Sequence, residues 1–202
     1  MTRTDFRRIL YCATSNTGKL REFRGAATAG WEIEPLPALR DVPAPEETGD
    51  TFEENAIAKA RYYAAFAPGV PVFAEDSGLE VEALGGEPGV YSARIAGADA
   101  TDDDNNRLLL ERLGAGRDRG ARYVAVIGLV LPDQSIYSFR GTVEGEVLRA
   151  PKGAGGFGYD PLFFYPPFGS TFAQVSADEK LTVSHRGRAA AAMMKFLNRP
   201  TA

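Results

Sequence analysis

Two continuous apolar runs, Ile9–Ala13 and Val70–Ala74, constrain this chain most, because each is of strand length and each ends in polar turn chemistry. The first leads through Thr14-Ser15-Asn16-Thr17-Gly18 into a helical stretch from Lys19 to about Ala29. The second ends at Glu75-Asp76-Ser77-Gly78, followed by a short alternating strand, Leu79–Ala83. Between them, beyond a Pro- and Glu-rich loop at Asp41–Gly49, Thr51 and Glu54 form a capping box. It opens an alanine-rich helix, Phe52–Phe66, which Pro68-Gly69 stops. Strands separated by helices imply parallel pairing with helices on the sheet faces.

The second half has a different rhythm. Gly85–Gly89 is a turn-rich loop, and Thr101 with Asp102, Asp103 and Asp104 opens a helix to about Leu113, the acids suiting its positive end. Tyr123–Leu131 and Ser135–Val143 flank the turn Pro132-Asp133-Gln134 and predict a hairpin. A further strand follows around Glu146–Leu148, then a glycine-rich loop, Pro151–Asp160, and a last helix from Ser184 through Leu197. The expectation is an α/β protein with a long mixed β-sheet and flanking helices, in a single domain, 1–202.

Composition narrows the function classes. The net charge of −4 gives no support to a nucleic-acid polymer or a membrane as partner, although local cation clusters can still hold a polyanion. The one cysteine, Cys12, excludes an intramolecular disulfide framework and a multi-cysteine metal site, and reads as a small core residue. Met1–Arg8 is polar and leads straight into the first strand, and no apolar stretch approaches the roughly 18 residues a membrane span needs. A cytoplasmic location is expected.

Four constellations carry chemistry. Thr14–Lys19, between strand and helix, offers helix-start N–H groups, hydroxyls and a lysine to a phosphate, but it is not a P-loop. A helix cap with a solvated lysine explains it equally well. Glu46-Glu47 and Glu75-Asp76 place carboxylates at a loop and a strand end, which suits Mg²⁺ with its few carboxylates, waters and phosphates. Glu75-Asp76 is the stronger pair, since ligands bind at the carboxyl edge of open α/β sheets. Lys180, His185 and Arg186 put positive charge near the start of the Ser184 helix, where an anionic ligand would offset an unfavourable dipole. Gly155–Pro161 joins glycines to Phe157 and Tyr159, which can stack on a base, and to Asp160, which can accept a base N–H; a turn with aromatics tucked into the core is the alternative. Lys59, mid-helix, reads locally as part of a solvated face.

Taken in order, these segments resemble the inosine/xanthosine triphosphate pyrophosphatase family. The matching text is Thr14–Lys19 with Glu22, Glu47–Ala56 with Lys59, Ala74–Leu79, Pro88–Arg94, Gly156–Pro161 and Ser184–Gly187, spanning nearly the whole chain. The resemblance implies a homodimer whose protomers have two lobes around a central cleft. It implies Mg²⁺ and the hydrolysis of deaminated purine nucleoside triphosphates (ITP, dITP, XTP) to the monophosphate and pyrophosphate. Carried over by position, Thr14, Ser15, Asn16, Thr17, Gly18, Lys19 and Lys59 would hold the triphosphate. Glu47 and Asp76 would serve the metal, Asp76 also as proton acceptor with help from Glu75, and Ser77 would touch substrate. Phe157, Gly158, Tyr159, Asp160, Lys180, His185 and Arg186 would form the nucleoside end, His185 and Arg186 as donors to the 6-oxygen of the base. The rivals are a pyrophosphatase for other modified nucleotides, of the septum-inhibitor-like family, and a nucleotide-binding module without turnover.

Overall fold

A computed structural model describes residues 8–28, 30–37 and 39–199. The polar stretch ahead of Arg8 and the expected helix end at Ala29 lie outside the described residues.

Strand β1 (Arg8–Cys12) feeds helix α1 (Thr17–Gly25), which begins two residues before the expected Lys19, so Thr17 and Gly18 belong to its first turn. A strand that the sequence reading missed, β2 (Trp31–Pro35), pairs parallel with β1 at the sheet edge, where its Pro and two glutamates are tolerated. Helix α2 (Phe52–Ala64) starts at the Thr51/Glu54 capping box as expected.

The largest departure concerns β3 (Val72–Val81). Glu75-Asp76-Ser77-Gly78 does not end a strand; it lies inside one ten-residue strand that absorbs the separate Leu79–Ala83 strand of the sequence reading. Continuous antiparallel pairing with β4 (Gly120–Val130), from Val72 opposite Val130 to Val81 opposite Ala121, keeps the acidic stretch extended. Gly78 is required there by crowding rather than by a turn: a Cβ would lie 2.3 Å from the Gly89 carbonyl oxygen and 2.4 Å from Ser92 Oγ.

Helix α3 (Asp102–Leu113) carries a Thr101/Asp104 capping box. Strand β5 (Ile136–Val147) forms the expected hairpin with β4 and takes in most of the separate strand expected at Glu146–Leu148. Strands β6 (Phe163–Tyr165) and β7 (Ser170–Thr171) follow, then α4 (Ala177–Val183), which the sequence reading missed, and α5 (His185–Leu197). The sheet order is β2-β1-β3-β4-β5-β6-β7, parallel around β1 and antiparallel from β3 onward, so it is mixed as expected.

Side-chain alternation along β3 splits the core. Phe73 packs with Leu10, Phe23, Ile127 and Met193 under α1 and α5, whereas Val72 and Ala74 pack with Ala60 and Tyr63 of α2 on the other face. A third cluster under α3 joins Leu79, Leu109, Tyr123, Phe163 and Phe172. Cys12 is buried and free, and burial raises its thiol pKa, which suits a core residue. Among the described residues no helix is long and apolar enough to cross a membrane.

Candidate active site

The chain reverses direction across the sheet at β1, which has β2 on one side and β3 on the other. Such a switch point leaves a crevice beyond the strand's carboxyl end. β1 pairs with β3 only through Tyr11 and Cys12, so from Ala74 onward β3 overhangs that crevice. The carboxyl edge that opens on the crevice is therefore that of β1, not β3, and Glu75, Asp76 and Ser77 reach the site from the flank of a longer strand.

The loop after β1 is shaped by its own side chains. Thr14 Oγ1 accepts from the Asn16 N–H at 3.2 Å, and Asn16 Oδ1 caps α1 by accepting from the Lys19 N–H at 3.0 Å. Ser15 and Thr17 are exposed. Gly18 abuts the other end of the site: a Cβ there would meet the Phe157 ring at 2.9 Å.

Glu75 and Ser77 point toward α1 and α5, and Asp76 points toward α2. Glu75 is thus on the opposite face of β3 from Asp76, so the help expected of it reaches Asp76 only through its charge, which raises the Asp76 pKa. Glu75 itself heads a buried chain of charges. Lys19 Nζ lies 2.7 Å from Glu75 Oε2, and Arg186 Nε donates to Glu75 Oε1 at 3.1 Å. Arg186 also donates to Glu22 Oε2 at 2.5 Å and to Ser77 Oγ at 3.1 Å. Lys180 Nζ bridges Glu22 Oε1 at 2.8 Å and Asp160 Oδ2 at 2.5 Å. Burial opposes the charge on Glu75, but Arg186 and Lys19 outweigh it and hold the carboxyl well below its usual range. These pairs also correct the reading of the α5 terminus. Lys180 sits in the last turn of α4, where the dipole favours it, and the protein's own Glu75 and Glu22 neutralise Arg186.

On the other face, Lys59 Nζ stands between Glu47 Oε1 at 2.6 Å and Asp76 Oδ1 at 2.9 Å. Arg94 donates to Glu47 Oε2 at 3.0 Å, and Asn55 Nδ2 to Asp76 Oδ2 at 3.2 Å. Lys59 is therefore no solvated lysine. Burial works against its charge, yet Asp76 and Glu47 raise its pKa. Burial raises Asp76 above the usual carboxylate range despite Lys59, whereas for Glu47 the bonds from Lys59 and Arg94 overcome burial and lower it. No group of three or more His, Cys, Asp or Glu side chains converges among the described residues. Two carboxylates meeting on one cation suit Mg²⁺, which completes its shell with water and phosphate, better than an all-protein site.

Beyond Ser77 the crevice continues as a cleft lined by Asn16, Lys19, Phe157, Lys180, His185 and Arg186, with Tyr159 and Asp160 in its wall. Phe157 presents its ring to Lys180 Nζ, 4.9 Å from the centroid. Tyr159 is buried and donates its hydroxyl to the Ser92 carbonyl at 2.7 Å, so Phe157 is the aromatic free to stack on a ligand. Asp160, only 1% exposed, accepts from Lys180, from the Phe157 N–H at 3.0 Å and from Tyr123 Oη at 3.3 Å. His185 is buried, held neutral by burial and by Arg186, and its Nδ1 has no hydrogen-bond partner. Helix α3 pins Gly158 from both sides: its N–H donates to Asp102 Oδ2 at 2.6 Å and its carbonyl accepts from Asn106 at 3.0 Å.

Read from the sequence alone, Glu22, Asn55, Arg94, Asp102, Asn106 and Tyr123 had no role in the site. Glu22, three residues beyond Lys19 on one helix, and Asn55, an amide on a helix that caps itself without it, carried a local trace. Tyr123 carried none, since an aromatic in a strand is ordinarily core.

A profile of the Ham1 family matches residues 10–196. A dITP/XTP pyrophosphatase of Thermus thermophilus is 52% identical over 188 residues, covering 91% of this chain and 88% of that protein. That of Acidobacterium capsulatum is 50% identical over 190 residues, covering 89% and 93%. The solved structure of the Staphylococcus aureus Ham1 protein superposes with a TM-score of 0.84 at 42% identity, covering 94% of this chain and 98% of that one.

Proposed function

Since the chain belongs to the Ham1 family, we propose that it hydrolyses deaminated purine nucleoside triphosphates, among them ITP, dITP and XTP, to the monophosphate and pyrophosphate. The observation that carries this reading is the way β3 joins two chemistries: Asp76 faces a carboxylate–lysine cluster, and its neighbour Ser77 faces a cleft of base-recognition character.

In the proposed mechanism the first turn of α1 and Lys19 hold the phosphate chain in the crevice. Asp76, steadied by Asn55, orients the attacking water and accepts its proton as the oxygen bonds to the α-phosphorus. The bond from that phosphorus to the bridging oxygen breaks, and Lys59 and Arg94 offset the charge on the departing pyrophosphate. A magnesium ion, held by Glu47 and Asp76, would supply further neutralisation of the phosphates. Phe157 stacks on the base, while His185 and Arg186 meet its 6-oxygen and leave the amino group of adenine unpaired.

The same reading includes one two-lobed domain, a homodimer and a cytoplasmic location. Its test is incubation with Mg²⁺ and each of ITP, dITP, XTP, GTP and ATP, with pyrophosphate and orthophosphate measured separately. Pyrophosphate should appear chiefly from the first three. Orthophosphate alone would overturn the bond assignment, and no release from any nucleotide would point to a binding module.

A further inference from the structure

Tyr123 lies on β4, opposite Leu79 of β3 and Val143 of β5, with its side chain on the α5 face of the sheet. Phe163 and Phe172 back its ring, at centroid distances of 4.5 and 6.2 Å. That much describes a core aromatic. Two further contacts do not follow from packing alone. The His185 ring stacks on Tyr123, with centroids 4.5 Å apart and planes inclined by 9°. The Tyr123 hydroxyl donates to Asp160 Oδ1, the oxygen that Lys180 and the Phe157 N–H leave free. Burial, reinforced by the charge of Asp160, raises the phenol pKa well above 10, so this hydroxyl stays a donor.

The two partners come from distant segments, the first residue of α5 and the glycine-rich loop, and both line the cleft that Tyr123 also lines. His185 has an unpartnered Nδ1, so a parallel stack is a principal restraint on its plane. A donor aimed at base atoms discriminates only as well as it is aimed.

We propose that Tyr123 is a positioning residue for purine recognition: its ring fixes the plane of His185 and its hydroxyl fixes Asp160, so that both meet one base in one geometry. The inference rests on the reading that His185 and Asp160 face the base.

The test uses the full chain with Tyr123→Phe, which keeps the ring and removes the hydroxyl, and Tyr123→Leu, which removes both. Steady-state kinetics with Mg²⁺ and either ITP or ATP are read alongside thermal unfolding. For Tyr123→Phe the KM for ITP should rise about fivefold, the worth of one hydrogen bond as long as 3.3 Å, with kcat nearly unchanged. Tyr123→Leu should add about another fivefold through the lost stack. The KM for ATP should stay within about twofold, because adenine gains little from this geometry. In a His185→Ala background the two Tyr123 variants should differ no further in their ITP-to-ATP ratio. Parallel rises for ITP and ATP, or a loss confined to kcat and thermal midpoint, would reduce Tyr123 to a core residue and overturn the proposal. If Tyr123→Leu does not fold, Tyr123→Phe alone decides through its KM. His185→Ala and Asp160→Asn serve as controls. An unchanged ratio in both removes the premise, whereas a changed ratio there with none in the Tyr123 variants refutes this inference alone.

Discussion

Replacing Lys59 with methionine keeps most of the aliphatic side chain and deletes one charge at the centre of the carboxylate cluster. Lys59 Nζ is 2.6 Å from Glu47 Oε1 and 2.9 Å from Asp76 Oδ1, so those oxygens are at most about 5.5 Å apart. At an effective dielectric constant of about 20, two negative charges at that separation repel by about 3 kcal/mol. The wild-type ammonium cancels this repulsion and also sits where a divalent cation would bind. In Lys59→Met an incoming Mg²⁺ meets Asp76 with no cation, Glu47 with Arg94 alone, and no competing ammonium. About 3 kcal/mol corresponds to roughly 100-fold in affinity, and solvent entering the opened space reduces the expected gain to at least about tenfold. Turnover should fall in the same variant, because the pyrophosphate loses one of its cations. Calorimetric titration of nucleotide-free protein with MgCl2, beside ITP turnover, reads both effects. Equal Mg²⁺ affinity in variant and wild type would refute the assignment of Glu47 and Asp76 to a shared cation position.

Asp76→Asn should lower ITP turnover by about 10³-fold while calorimetry still detects nucleotide binding; near-normal turnover would remove Asp76 from the chemistry. Arg186→Ala leaves Glu75 with Lys19 alone and Glu22 with Lys180 alone, and should cost about 3 kcal/mol in urea unfolding while also lowering the ITP-to-ATP ratio. An unchanged unfolding midpoint would contradict the buried charge chain, and an unchanged ratio the base contact. His185, the only histidine, is held neutral in the folded chain, so below pH about 6.5 the unfolded chain takes up a proton that the folded chain refuses. Its contribution to stability should therefore decline by up to about 1.4 kcal/mol per pH unit as pH falls toward its folded pKa. Unfolding series for wild type and His185→Gln should diverge between pH 7 and 5; parallel curves would count against a buried neutral imidazole.

Much of this molecule is local and was therefore legible in the residues themselves. The α2 and α3 starts follow from Thr51/Glu54 and Thr101/Asp104, because a capping box is made within four residues. The β4–β5 hairpin follows from two apolar strands flanking one turn. The ordered motifs also singled out side chains, from Lys19 to Arg186, that the fold gathers around one crevice. Sequence could not show which of them touch. Whether Glu75-Asp76-Ser77 ends a strand or runs through one depended on β4, whose pairing lies far along the chain. Once β3 was continuous, strand alternation sent Glu75 to Lys19 and Arg186 and Asp76 to Lys59 and Asn55. Lys59 and Tyr123 looked like surface and core because their partners lie on other elements. Local patterns determined which elements and which chemical groups this protein has; tertiary pairing alone decided which carboxylate meets which cation, because charges bind through space rather than along the chain.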